Sequence, residues 1–114
     1  MGQPVYLYQF TRVLRGGEKL GAYHGMEITY VFGSRLPWVP REPIDEKLSD
    51  AMMGDWTRFA ATGDPNGGGA AVWPRYDTAA RHLEFGDVVK VGQTLKREMC
   101  DAIEPRLRAT WSAQ

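Results

Sequence analysis

Residues 21–33 read Gly-Ala-Tyr-His-Gly-Met-Glu-Ile-Thr-Tyr-Val-Phe-Gly and contain His24, one of two histidines in a chain of 114 residues. Gly21 and Gly25 allow backbone conformations closed to other residues, so a sharp turn can hold the imidazole at its tip. Histidine is the side chain most easily tuned to move protons near neutral pH. A lone histidine is more often structural than catalytic. A catalytic role for residues 21–33 (the His loop) therefore needs evidence from the rest of the chain.

The C-terminal part of the His loop predicts a short helical segment. Residues 26–32 can form one or two turns that bury Ile28, Val31 and Phe32. Gly33 is a suitable terminator, because glycine adopts the left-handed conformation that commonly ends a helix.

A strand is predicted on the N-terminal side of the His loop, over residues 4–12. Aromatic and β-branched side chains dominate this segment, and both of its faces are largely apolar. One face carries Val5, Leu7 and Gln9, and the other carries Tyr6, Tyr8 and Phe10. This pattern is typical of a strand in an α/β sheet that is covered on both sides and has neighbours on both edges.

A helix is predicted over residues 45–62, with Asp45 as its N-cap and Gly63 as its end. Its core-facing side chains recur every three or four residues, as on one face of a helix. They are Leu48, Met52, Trp56 and Phe59.

The C-terminal third predicts a strand over residues 82–91 and a helix over residues 94–111. The strand alternates in polarity, with an interruption near Gly86-Asp87, and its solvent side includes His82. Thr94 can cap the helix, and Pro105 should kink or interrupt it. The apolar residues of this helix are expected to face inward; they are Leu95, Met99, Ala102 and Ile103.

Composition excludes several classes of function. Fourteen basic residues balance fourteen acidic ones, without the basic patch that nucleic-acid binding requires. No apolar run approaches the roughly 20 residues of a membrane span, and no signal peptide is evident. The length predicts one domain, residues 1–114. No compartment follows from these features.

Most catalytic chemistries lack their required residues. A zinc site needs three or four ligands, and His24 with Glu27 supplies at most half of one. The glycine-rich residues 66–69 lack the spacing and the Lys-Ser/Thr ending of a phosphate-binding loop. Cys100 falls in a predicted helix, without a nucleophile turn. No Gly-x-Ser-x-Gly motif surrounds any serine. We therefore predict neither a metal nor a cofactor.

Five sequence blocks carry a resemblance. Residues 4–10 read Pro-Val-Tyr-Leu-Tyr-Gln-Phe, and residues 56–66 read Trp-Thr-Arg-Phe-Ala-Ala-Thr-Gly-Asp-Pro-Asn. The other blocks are residues 21–28, 30–33 and 73–77, and residues 95–100 fit as a last helix. Together they resemble the C-terminal portion of type B carboxylesterases, the family that includes para-nitrobenzyl esterases and cholinesterases. The match covers nearly the whole chain, in order.

The resemblance implies a C-terminal fragment of an α/β-hydrolase fold, which as an isolated chain would be α+β with about two strands and three helices. It implies that His24 corresponds to the histidine of a Ser-Glu/Asp-His triad. Glu27 matches a carboxylate that supports this histidine structurally and is not the triad acid. In many relatives the cysteine corresponding to Cys100 pairs with an upstream cysteine, which this chain lacks. The serine and the triad acid of the family also lie upstream of the residues present here.

Two interpretations follow. In the first, the chain is a carboxylic ester hydrolase by resemblance and contributes the triad histidine. On its own its active site is incomplete or its activity is weak. Its substrate is a small-molecule ester, and another chain carries the serine. In the second, it is a non-catalytic structural or interaction domain derived from an esterase C-terminus. Because a doubly covered strand would keep a free edge and an apolar face exposed, we also expect homo-oligomers.

Overall fold

The computed structural model describes residues 2–69 and 71–113, so residues 1, 70 and 114 of the predicted domain lie outside the described residues. These residues form three strands and three helices, in the order strand, helix, helix, strand, strand, helix. They are β1 (Tyr8–Phe10), α1 (Ile28–Val31), α2 (Pro43–Thr62), β2 (Arg81–Phe85), β3 (Val89–Gln93) and α3 (Arg97–Ser112).

The strands form one sheet in the order β1-β2-β3. β1 runs parallel to β2, with Tyr8 opposite Leu83, and β2 runs antiparallel to β3. β1 is shorter than the predicted strand 4–12 because only Tyr8–Phe10 pair with β2, opposite its last three residues, after which the chain turns at Gly86. Within the described residues β1 has a neighbour on one edge only, where the sequence pattern predicts two.

The predicted strand 82–91 is a hairpin of two strands, which raises the strand count from about two to three. The interruption near Gly86-Asp87 is the turn that reverses the chain. Leu83 and Phe85 are fully buried, as their alternation indicates. His82 is not on a solvent face: it is only 3% exposed. Its ring fills the space beside Gly92, the residue opposite it on β3, where a Cβ would lie 2.5 Å from Nε2 of His82.

α2 begins two residues before the predicted start, at Pro43. Proline is well tolerated at the first helical position, where its missing N–H would have no partner. Glu42 is the N-cap, and Asp45 lies at N3 and accepts a hydrogen bond from the backbone N–H of Glu42. The helix ends at Gly63, whose φ of 78° is left-handed, as predicted.

The core lies between the sheet, α1 and α2. Leu48 and Met52 of α2 are buried, whereas Phe59, also predicted to face inward, is 45% exposed. Aromatic rings join α2 to the sheet: Trp56 lies 5.0 Å from Tyr8 and 5.4 Å from Trp73, measured between ring centroids. The buried apolar residues are Leu14, Met26, Tyr30, Leu48, Met52, Trp73, Leu83 and Phe85.

α3 differs from its prediction in three ways. It begins at Arg97 with Lys96 as its N-cap, so Thr94 does not cap it. Its helix continues through Pro105, because the hydrogen bond that proline removes would go to the carbonyl of Asp101, which solvent can reach. None of its residues is buried, although Met99 and Ile103 were expected inward. Large apolar side chains spaced four residues apart form what we term the α3 stripe: Met99, Ile103, Leu107 and Trp111. The periodicity of the sequence indicates that this face is apolar, but it does not indicate what covers the face.

Candidate active site

His24 lies at the corner of a β-turn that begins at Tyr23 and ends at Met26. The turn is closed by a hydrogen bond from the Met26 N–H to the Tyr23 carbonyl, 3.1 Å long. Gly25 occupies the third position with a φ of 85°, a value that favours glycine. The imidazole is exposed, and within the described residues no hydrogen bond to its ring is formed. The backbone alone therefore sets where this side chain lies.

The turn leads directly into α1, but the buried face of α1 is not the predicted one. Ile28 and Phe32 are 54% and 76% exposed, and Tyr30 is the buried residue. The Tyr30 hydroxyl donates a 2.8 Å hydrogen bond to Oδ1 of Asp45, which orients the short helix with this ring inward. Gly33 ends the segment with a left-handed φ of 60°, as predicted.

Asp45 is the centre of a buried polar cluster beneath the His loop. Its carboxylate accepts hydrogen bonds from Nε of Arg12 at 2.7 Å and from Nη2 of Arg12 at 3.3 Å. Tyr30 and the Glu42 backbone N–H, the latter at 2.7 Å, are the other donors. Arg12 also donates to Glu42 and Asp87 at 2.9 Å each. The cluster therefore joins the exit of β1, α1, the start of α2 and the hairpin turn.

The electrostatics of the cluster keep Asp45 ionised. Burial raises the pKa of the Asp45 carboxyl, but the hydrogen bonds from Arg12, Glu42 and Tyr30 outweigh burial, so this pKa lies below its ordinary value. Burial, and then the hydrogen bond to Asp45, raises the pKa of Tyr30. The hydrogen bond to Asp45 is the largest cause that raises the pKa of Arg12. Each partner thus holds the others in their ordinary ionisation states at neutral pH.

Glu27, the second predicted site residue, lies at the N-cap of α1 and forms no side-chain capping bond. No hydrogen bond between Glu27 and His24 is formed in the described part of the chain. The charge of Glu27 acts instead on β1: burial raises the pKa of Tyr8, and the Glu27 carboxylate raises it further. The charge of Glu27 therefore influences Tyr8, the first residue of β1.

A cavity of about 450 Å³ lies beside the turn. Tyr23 and Met26, on either side of His24 and Gly25, contribute to its wall together with Leu14 and Trp38. Most of its lining is apolar, so an aliphatic or aromatic group fits it better than a charged one.

The described residues do not bring together the side chains that a metal site or another nucleophile would need. Among residues 2–69 and 71–113, no three His, Cys, Asp or Glu side chains lie close enough to hold a metal ion. The Ser49 hydroxyl donates to the Tyr30 carbonyl at 2.8 Å, and the Cys100 thiol is free and exposed. No helix in the described ranges is long and apolar enough to cross a membrane.

Sequence reasoning missed Arg12, Tyr30 and the buried role of Asp45. Arg12 ends a predicted strand and Tyr30 sits in a predicted helix, so each had an ordinary explanation. The available signal was their hydrogen-bonding capacity beside apolar neighbours, because a buried arginine or aspartate requires a partner.

Comparisons with known proteins identify the fold first. An esterase from Clostridium hathewayi has a TM-score of 0.75 and 27% identity over 86% of this chain and 20% of its own. A carboxylesterase from Geobacillus stearothermophilus has a TM-score of 0.72 and 28% identity over 87% of this chain and 22% of its own. The described elements are therefore a fragment of the α/β-hydrolase fold that esterases use.

The family follows from sequence. The sequence model of the Carboxylesterase family matches residues 1–103. Carboxylesterase 4A of Bos taurus is 39% identical over 101 residues, which are 85% of this chain and 18% of that protein. The chain belongs to the carboxylesterase family, as its five sequence blocks predict, and it spans about a fifth of the length of the relatives it matches.

Proposed function

We propose that this chain supplies the general base of a carboxylesterase-type active site, with His24 as that base. The observation that carries the proposal is the exposed imidazole of His24, held at a glycine-dependent turn beyond the end of β1, in a member of the carboxylesterase family. A general base must reach the reacting proton while its backbone stays fixed.

The substrate class is a small-molecule carboxylic ester. His24 accepts the proton of a serine as the serine oxygen attacks the ester carbonyl, and returns it to the departing alcohol. Water then attacks the acyl-serine with His24 again as base, which releases the carboxylic acid and regenerates the serine. The apolar cavity beside the turn suits a hydrocarbon part of such a substrate. Glu27 supports the turn and is not the triad acid.

The serine and the acid are proposed to lie in a polypeptide outside these 114 residues. Ser34 and Ser49 are not on nucleophile turns, and the third serine, Ser112, donates to the Arg108 carbonyl within α3. Because triad residues act as a unit, His24 alone should give little catalysis. The complete site needs the serine and the acid from residues outside these 114.

The second candidate function is a non-catalytic interaction domain. The α3 stripe favours it, since Met99 and Trp111 are 56% and 69% exposed. So does β1, which has one edge without a neighbouring strand among residues 2–69 and 71–113. Both surfaces would also support homo-oligomers.

A chimeric protein distinguishes the two candidate functions. The C-terminal fifth of the Geobacillus stearothermophilus carboxylesterase is replaced by this chain, and hydrolysis of p-nitrophenyl butyrate is measured. We expect the chimera with His24→Ala to lose about 10⁴-fold or more in kcat, as when a triad residue is removed. Lys19→Ala, at an exposed residue of the preceding loop, is the matched control and should leave kcat unchanged.

The isolated chain provides the complementary measurement. Without a nucleophile it should hydrolyse the ester equally with and without His24, and a fluorophosphonate should label no serine. Equal kcat for a folded chimera and its His24→Ala variant would reject the general-base role and favour the interaction domain.

A further inference from the structure

Tyr30 is the residue of the His loop that is hydrogen-bonded to α2 at both of its ends. Its hydroxyl donates to Asp45 at 2.8 Å, while its backbone carbonyl accepts from the Ser49 hydroxyl at 2.8 Å. Both partners belong to α2, so the two ends of one residue are bonded to the same rigid helix. The ring also packs against Phe10 of β1 at 5.0 Å between centroids.

The attachment point is connected to His24 by consecutive hydrogen-bonded turns. The Tyr30 N–H donates to the Glu27 carbonyl at 2.9 Å, and the Ile28 N–H donates to the Gly25 carbonyl at 3.3 Å. The Met26 N–H closes the turn that carries His24. No stretch of free backbone separates Tyr30 from the imidazole, so a displacement of α1 must be transmitted to the turn.

The exposed side of the loop offers no alternative support. Ile28 and Phe32 project into solvent, and within the described residues the imidazole itself has no hydrogen-bond partner. Two further contacts hold the segment. Arg41 acts on α1, through a 2.9 Å hydrogen bond from its Nη2 to the Thr29 carbonyl and with its guanidinium 4.7 Å from the centroid of the Tyr30 ring. Met26, the last residue of the turn, is buried in the core at 3% exposure.

We propose that Tyr30 and Asp45 are positioning residues for His24: the buried Tyr30–Asp45 hydrogen bond sets the orientation of α1 and thereby the place of the imidazole. Arg12 contributes by keeping Asp45 ionised and fixed in position. The purpose of this positioning rests on the proposed function of His24, but the mechanical coupling does not depend on it.

The test is NMR on the full 114-residue chain, with Tyr30→Phe as the main variant. This change removes one hydroxyl and keeps the ring. Tyr76→Phe, at a half-exposed tyrosine, is the matched control. Spectra are recorded well below the unfolding temperature, so that nearly all molecules are folded and the imidazole resonances report on the folded state.

We expect Tyr30→Phe to shift the imidazole resonances of His24 and to speed amide exchange at Met26 and Ile28 by about tenfold or more, because a hydrogen bond to a charged group is lost. The His82 resonances, in β2, should be unchanged. The Leu83 amide of the same strand reports exchange through global unfolding, so faster exchange at Met26 and Ile28 counts as local opening only where it exceeds the rate at Leu83. Tyr76→Phe should change neither set.

Ser49→Ala is the second variant, because it removes the other bond to Tyr30 without touching Asp45. It should move the same His24 resonances and the same amides. The proposal is overturned if either folded variant leaves the His24 resonances and turn exchange as in the wild type, even if its unfolding temperature falls. None of these readouts requires ester hydrolysis, so a chimera without activity would reject the function of His24 and leave its positioning intact.

Discussion

Removal of the Arg12 side chain should cost more than any exposed charge change in this protein. In the Arg12→Ala variant the Asp45 carboxylate, which is fully buried, loses two hydrogen bonds of 2.7 and 3.3 Å and its countercharge. Leaving a buried charge without its partner destabilises a fold by about 3–5 kcal/mol. The bonds to Glu42 and Asp87 contribute little beyond this, because those carboxylates are 40% and 72% exposed at their side chains.

The assay is urea unfolding of the full chain at neutral pH, followed by tryptophan fluorescence, with the free energy of unfolding extrapolated to water. Arg12→Ala should lower this free energy by about 3–5 kcal/mol, a large part of the about 5–15 kcal/mol typical of a domain. The control is Arg81→Ala, since Arg81 pairs with Asp77 at the surface and its loss should leave stability nearly unchanged.

A double-mutant cycle isolates the pair. Asp45→Asn in the Arg12→Ala background removes the stranded charge, so the double variant should recover part of the loss. A decrease below about 1 kcal/mol for Arg12→Ala, with an unchanged slope against urea, would show that Asp45 does not depend on Arg12 and would refute the role given to the buried cluster.

Three further predictions concern other parts of the molecule. The pKa of Asp45 is lower in the folded chain than its unfolded value of about 3.9, so its contribution to stability is present above that pH and is lost as pH falls through the folded value. Urea unfolding between neutral and acidic pH should therefore show a larger loss in the wild type than in Asp45→Asn, where other carboxyls with lowered pKa, such as Asp77, still titrate. Gly92→Ala puts a methyl group 2.5 Å from the His82 ring and should lower the free energy of unfolding by about 1–3 kcal/mol, whereas an unchanged value would mean that the ring moves freely. The wild type should self-associate in light scattering at micromolar concentration, and Ile103→Lys with Trp111→Lys should shift it toward monomer; a monomeric wild type would contradict this.

The elements that depend on local pattern were largely predictable. The strand before the His loop, the helix ending at Gly63 and the glycine turn at His24 follow from periodicity and from glycine conformations. The boundaries of these elements differ from the prediction where contacts with other elements determine them. β1 is limited to the residues that pair with β2, and α2 begins two residues earlier, at Pro43.

Burial was the less predictable property, for identifiable reasons. The α1 segment was expected to bury Ile28, Val31 and Phe32, and of these only Val31 packs against the core. Tyr30 is inside because Asp45, a distant residue in sequence, accepts a hydrogen bond from its hydroxyl. His82 alternates as a solvent-face residue, yet Gly92 on the neighbouring strand leaves room for its ring. In both cases the deciding partner lies on another element, where periodicity within one segment carries no information.

The candidate site was predictable in the same uneven way. A glycine on each side of His24 predicts an exposed turn, and the family resemblance supplies its chemical role. The residues beneath it were not predictable from either source, because Arg12, Tyr30 and Asp45 come from three separate elements. Only the pairing of the elements brings them together.

The parallel pairing of β1 with β2 has a consequence for how the chain folds. Residue 8 pairs with residue 83, so the ends of a loop of about 75 residues must meet before this ladder forms. Closing such a loop costs about 4 kcal/mol in chain entropy before any contact repays it. The β2–β3 hairpin and the α1–α2 contacts are much closer in sequence and can form earlier. The N-terminal strand should therefore join last, and Arg12, at its end, would complete the buried cluster only in that final step.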